Sequence, residues 1–181
     1  MPGACFLSGD RVTLKTIEAE DIIIIQRWVN NPEVRRYIHE FRLPYSREDC
    51  EKWLPEARDD RARVDLLVCL ENEPIGRARL EPFHTKRRAA NLGFLIAPEH
   101  QGNGYATETA ELLVEYGFTD LLLHRLEAKA LAPNSGSRRV LEKIGFVEEG
   151  HKRKAAIADG EYVDEVYYGL LRTDWESKSK K

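Results

Sequence analysis

The 181-residue sequence contains three cysteines, Cys5, Cys50 and Cys69, an odd number at wide spacing. That excludes a disulfide framework and any Cys-x-x-Cys metal pair, and it predicts a chain kept in a reducing cytoplasm. The histidines His39, His84, His100, His124 and His151 show no metal-ligand spacing, so no metal site is expected. Long apolar runs are missing as well. The longest, Ile22 to Ile25 and Leu121 to Leu123, fall far below the roughly 20 residues that span a bilayer, and no basic segment leads into an apolar one at the N-terminus. Neither membrane nor export is expected. A formal net charge of −3 gives no electrostatic case for nucleic acid. What remains, 42% hydrophobic and 33% charged residues, describes a soluble globular chain. Its length suits one domain over 1–181, monomeric or homodimeric, with 1–8 and 176–181 as loose ends.

Period-two alternation predicts a first strand at Arg11 to Lys15, then a helix over Glu18 to Trp28 that Asn30-Asn31-Pro32 stops. A short helix follows at Glu33 to Tyr37. Ser46 with acidic residues behind it reads as the N-cap of a helix carrying Cys50, Trp53 and Leu54. Leu66 to Leu70, Pro74 to Leu80 and Asn91 to Ile96 form a meander. After a helix and a strand at His124 to Leu131, a second helix opens at Pro133 and ends at Gly145, a glycine C-cap. Asp159-Gly160 joins two last strands as a hairpin turn. Strand, helix, neighbouring strand permits one parallel crossover in a mostly antiparallel sheet, so the class is α+β.

The segment Gln101-Gly102-Asn103-Gly104-Tyr105-Ala106-Thr107 lies between a strand pattern ending at Leu95-Ile96 and an amphipathic helix whose apolar face is Ala106, Ala110, Leu113, Val114, Gly117 and Phe118. A glycine-rich turn that opens a helix leaves backbone N–H groups aimed outward at the positive end of the helix dipole, which suits a phosphate. A plain tight turn explains the glycines equally well. The Walker pattern is absent because no lysine follows in register. The dinucleotide pattern fails because Thr107 stands where its third glycine belongs.

Gln101-x-x-Gly104-x-Ala106 resembles the acyl-CoA motif of the GNAT superfamily, the Gcn5-related N-acetyltransferases. Asn134-Ser135-Gly136-Ser137 followed by Val140-Leu141-Glu142-Lys143-Ile144-Gly145-Phe146 is similar to a second motif of its RimJ/RimL branch of ribosomal-protein N-acetyltransferases. Taken alone, Asn134 reads equally as a helix cap and Ser137 as a polar residue of the first turn. The resemblance implies a twisted, mostly antiparallel sheet with splayed parallel strands 4 and 5, flanked by about four helices. It implies acetyl-CoA as co-substrate, with the pyrophosphate on the backbone of Gln101 to Ala106, the thiol arm beside Leu95 and Ile96, and Asn134 on that arm. Gly93 fits either the strand bulge of that family or a packing accommodation.

Two departures from the family pattern bear on chemistry. Leu141 occupies the position of a tyrosine that many relatives use near the leaving sulfur, which makes Ser137 the catalytic candidate. Asn91 replaces a frequent glutamate base, and asparagine accepts no proton at neutral pH. Deprotonating an α-amine of pKa about 7.7 to 8.0 at pH 7 costs about 1 kcal/mol, against about 4.6 for a lysine near 10.4. The expectation is therefore transfer to a peptide or protein N-terminal α-amine, for which the resemblance suggests a ribosomal protein, with His39, Glu40 or Glu165 reached through water. A polyamine, aminoglycoside or amino-acid acceptor remains open, as does a non-catalytic acyl-CoA sensor.

Overall fold

A computed structural model describes residues 3–38, 43–52, 63–84 and 88–179. Its strands are β1 (Cys5–Ser8), β2 (Val12–Thr16), β3 (Val64–Leu70), β4 (Glu73–His84), β5 (Ala89–Ile96), β6 (Arg125–Leu131), β7 (Val147–Ala158) and β8 (Glu161–Leu171). The helices are α1 (Ile22–Asn30), α2 (Pro32–Arg35), α3 (47–52), α4 (Tyr105–Thr119), α5 (Ser135–Lys143) and α6 (Arg172–Ser179). The eight strands form one sheet in the order β1-β2-β3-β4-β5-β6-β8-β7. Every neighbouring pair is antiparallel except β5 and β6.

The expected α+β class is what forms, with corrections at the ends. Cys5–Ser8, expected within a loose end, pairs with β2 instead. This added strand shifts the count, so the splayed parallel pair is β5 and β6. Residues 176–179 continue α6, where Arg172 Nε donates to Glu176 Oε1 at 2.8 Å. Among the described residues there are six helices against the expected four or so, since α2 is a single turn and the tail is helical. The helix expected from Glu18 begins at Ile22 after a 3₁₀ turn at Ala19–Asp21. Trp53, Leu54, His39 and Glu40 lie outside the described residues.

Local chemistry sets most boundaries. Asn31 is extended ahead of Pro32, ending α1, and its Oδ1 accepts the Glu33 N–H at 2.9 Å to start α2. Ser46 and Asp49 cap each other reciprocally at the head of α3. At the end of α5, Phe146 N–H reaches Leu141 O and Gly145 N–H reaches Glu142 O, a Schellman closure that Gly145 permits with φ +102°. Asp159 and Gly160 both have positive φ, as a two-residue hairpin turn requires.

Two apolar clusters cover the two faces of the sheet. On one, Leu66, Val68, Leu80, Leu92 and Leu126 pack with Ala110, Leu113, Val114 and Phe118 of α4 and with Leu141 of α5. On the other, Leu67 and Cys69 pack with Ile22, Ile25, Trp28 and Val29 of α1. The parallel ladder between β5 and β6 covers only Ala89 to Asn91 against Arg125 to Glu127. Beyond it Leu92 to Ile96 and Ala128 to Leu131 have no mutual pairing, so the sheet opens into a cleft toward the C-terminal ends of both strands.

Candidate active site

The opening between β5 and β6 forms a cavity of about 510 Å³ that passes through the sheet. Asn91 to Leu95 form one wall and Ala128 to Leu131 the other. Asn134, Ser137 and Leu141 reach it from the α5 face, while Arg77, Arg79, Glu81, Glu165 and Tyr167 reach it from the α1 face. Of the residues expected at a cofactor site, Leu95, Asn134 and Ser137 line this cavity. Of the remainder, Ile96 ends β5, Gln101 to Gly104 lie in the connection that follows it, and Tyr105 to Thr107 open α4. Ile96 is buried in the core, and its carbonyl accepts from Gln101 Nε2 at 2.8 Å, which ties the loop to the strand end. Thr107 is buried at 8% exposure.

Gly102 and Gly104 adopt φ of +78° and +83°, and Gly104 is the N-cap of α4 with no side-chain acceptor for the first N–H groups. Asn103 Nδ2 donates back to the His100 and Gln101 carbonyls at 3.2 and 3.1 Å, holding the turn closed on its own backbone. A Cβ on Gly102 would meet nothing within 4 Å, so space lies open above the loop. Uncapped N–H groups at a helix start, with clear access, fit a phosphate. The opening of α5 differs. There Asn134 Oδ1 accepts the Ser137 N–H at 3.1 Å, so the helix is capped by its own side chain. Only Nδ2 of Asn134 is left for the cleft. Ser137 Oγ makes no hydrogen bond among the described residues.

Gly93 pairs with Arg79 without a register shift, and a Cβ there would stand 3.0 Å from Arg79 Nε. The glycine therefore accommodates Arg79 crossing the strand, and no bulge is present at this position. Arg77, its side chain 11% exposed, is gripped by both oxygens of Asp65, which also receives Arg63 Nη2 at 3.0 Å. Glu81 sits between Arg63 at 2.7 Å and Arg79 at 2.9 Å.

Glu165, 8% exposed, accepts from Tyr167 Oη at 2.9 Å and from Lys129 Nζ at 3.4 Å. Burial opposes its ionisation, but the Tyr167 bond and the Lys129 and Lys152 charges outweigh it and hold the carboxyl below its usual range. Burial and the Glu165 contact raise the Tyr167 hydroxyl. The sequence offers Glu165 only as one of three bases, and nothing in the periods of β6 and β8 marks Lys129 or Tyr167 as its partners. Each of the two carboxylates that face this cleft among the described residues is thus held by cations.

Residues 11–147 match the model of the acetyltransferase (GNAT) domain. The chain belongs to the GNAT acetyltransferase family. It is an N-acetyltransferase, and its co-substrate is acetyl-CoA. It is 31% identical to the spermidine N(1)-acetyltransferase of Escherichia coli, over 96% of this chain and 92% of that one. The spermidine N-acetyltransferase of Vibrio cholerae, solved with CoA and spermine, superposes with a TM-score of 0.85 at 29% identity, covering 93% of this chain and 99% of that one. RimL, a ribosomal-protein α-N-acetyltransferase solved with CoA, superposes with a TM-score of 0.84 at 17% identity over 93% and 98%, a likeness of fold. The expected membership in this superfamily and the expected α+β fold stand on these matches, and the non-catalytic alternative is set aside.

Proposed function

We propose that this GNAT enzyme acetylates the N-terminal α-amine of a peptide or protein. The observation that carries the reading is the pairing of the cleft carboxylates. Glu81 is held between two arginines and Glu165 is bonded by Lys129 and Tyr167. A polyamine needs carboxylates that are available to several ammonium groups, and desolvating a further cation beside Arg77, Arg79 and Lys129 is unfavourable. A single α-amine makes no such demand.

Acetyl-CoA supplies an activated acetyl thioester, and the residues present fit it. Backbone N–H groups of Gly102 to Ala106 would receive the pyrophosphate, Asn134 Nδ2 and the edge of Leu95 the thiol arm. A carboxylate held below its ordinary range cannot strip a ground-state ammonium of pKa about 8, so the amine loses its first proton to solvent. Glu165 then takes the second proton, which becomes acidic as the C–N bond forms, and Ser137 Oγ is free to donate toward the departing sulfur. Holding amine and thioester in one cleft supplies the rest. The free thiols of Cys5, Cys50 and Cys69 suit work in a reducing cytoplasm.

The test is release of CoA thiol at pH 7 with three acceptors: a lysine-free peptide with a free N-terminus, the same peptide N-blocked and carrying one lysine, and spermidine. The highest kcat/KM is expected with the first. A second reading, a polyamine acceptor, draws on the spermidine enzymes among the relatives and is favoured if spermidine ranks first.

A further inference from the structure

Arg11 belongs to neither motif, yet its contacts converge on the opening of α4. Its backbone N–H and that of Val12 donate to Glu108 Oε1 at 2.7 and 3.0 Å, and its Nε donates to Glu108 Oε2 at 3.0 Å. Nη1 donates to the Asn103 carbonyl at 2.8 Å, and the guanidinium lies 5.1 Å from the centre of the Tyr105 ring. Nη2 bonds nothing among the described residues and stands 3.2 Å from where a Cβ on Gly104 would be. About half of the side chain is exposed, at 52%.

A carboxylate in the first turn of a helix that receives an anion is a liability, since like charges repel there. Glu108 occupies that turn, and its contacts with the two backbone N–H groups and the guanidinium hold it ionised below its usual range against the opposing effect of burial. Its charge is spent on the β1–β2 turn and matched by Arg11. The Asn103 carbonyl is the other negative pole of the loop, and Arg11 Nη1 occupies it. One planar fork therefore neutralises both poles and leaves an exposed N–H beside Gly104, a geometry an ammonium cannot reproduce.

We propose that Arg11 is the residue that holds the Gln101–Ala106 loop in its anion-accepting shape and presents Nη2 to the phosphates of the acyl-CoA. The proposal rests on the acetyl-CoA reading of this loop. It makes Arg11 a positioning residue for the donor with no part in the acetyl step.

The experiment compares acetyl-CoA with acetyl-pantetheine, which carries the same thioester and arm and no phosphate, as donors to one fixed acceptor. Arg11→Ala is expected to raise KM for acetyl-CoA about tenfold or more, the scale of one charge-assisted hydrogen bond, with kcat held. Kinetics with acetyl-pantetheine should stay at the wild-type level. Arg11→Lys keeps the charge and the stem, and it should show a smaller rise, again confined to acetyl-CoA. Equal effects of either variant on both donors, as a general loss of fold produces, overturn the proposal, and so does an unchanged KM for acetyl-CoA in Arg11→Ala. A wild-type protein that uses neither donor defeats the reading of the loop itself and the proposal with it.

Discussion

The two helices that open onto the cleft solve the same problem in opposite ways. At α4 the N-cap is Gly104 in the left-handed region, and no side chain takes the first N–H groups. At α5 the N-cap is Asn134, whose own oxygen takes the Ser137 N–H. The first opening offers its backbone to a ligand and leaves bracing to residues outside the loop. The second satisfies its backbone internally and offers side chains, Asn134 Nδ2 and Ser137 Oγ, to the cleft. Charge divides along the same line. The loop before α4 has an exposed guanidinium beside it, while the carboxylates facing Ser137 across the cleft are bonded to cations. Substitutions that alter side-chain chemistry should act on the α5 and β8 side, and substitutions that alter backbone shape should act at α4.

The largest effect is expected from Glu165→Gln, which removes the proposed proton acceptor and should lower kcat about a hundredfold while KM for acetyl-CoA stays in place. Steady-state kinetics with both substrates varied separates the two constants, and a changed KM with normal kcat would move Glu165 to the donor site. Next comes Gly104→Val. A β-branched residue at φ +83° is strained by about 1 to 2 kcal/mol, so KM for acetyl-CoA should rise about tenfold with kcat little changed. Asn134 separates two roles by paired variants followed by thermal melting and kinetics. Asn134→Ala should cost about 1 kcal/mol, lowering Tm by about 2–4 °C, because the α5 cap is lost. Asn134→Asp keeps the cap and hence Tm, yet should raise KM for acetyl-CoA because the Nδ2 donor is gone. The smallest effect is expected from Ser137→Ala, a several-fold fall in kcat with an altered alkaline limb. Full turnover at unchanged pH dependence removes Ser137 from the mechanism.

The pH profile sharpens the division further. Because Glu165 is held below the ordinary carboxylate range, it is ionised throughout neutral pH. The acid limb of kcat/KM should then follow the acceptor, rising about tenfold per pH unit and levelling near pH 8, where an α-amine is half deprotonated. The same depressed pKa contributes stability that is present above the ordinary glutamate value and is lost as pH falls through the folded value. An inflection near pH 6 that vanishes in Glu165→Gln would show instead a carboxyl raised in the working enzyme.

The loop and the α5 opening were legible in the sequence because short-range rules govern them. Glycine permits positive φ at 102 and 104, asparagine caps at 134, and the period of α4 changes from two to near four at Tyr105. Strand β1 was missed because four residues, CFLS, carry too little alternation to be seen, and its pairing with β2 depends on a turn that Glu108 anchors from 97 residues away. The same distance hid Arg11. Glu165 was legible as an acid and illegible as a site, since its place beside the splay comes from β8 pairing with β6 and its ionisation from Lys129 and Tyr167. Gly93 invited a bulge, and the reason it is glycine is Arg79 on the next strand. Contacts made along the chain could be read directly, whereas those made across the sheet had to be seen.

The central claim is that paired carboxylates in the cleft direct acetylation to a single α-amine. Its most direct measurement is a competition at pH 7 in which one peptide carrying both a free N-terminus and a lysine is mixed with equimolar spermidine and limiting acetyl-CoA, with products assigned by tandem mass spectrometry. The account predicts acetylation chiefly on the peptide α-nitrogen, whereas acetylspermidine or acetyl-lysine as the main product would contradict it.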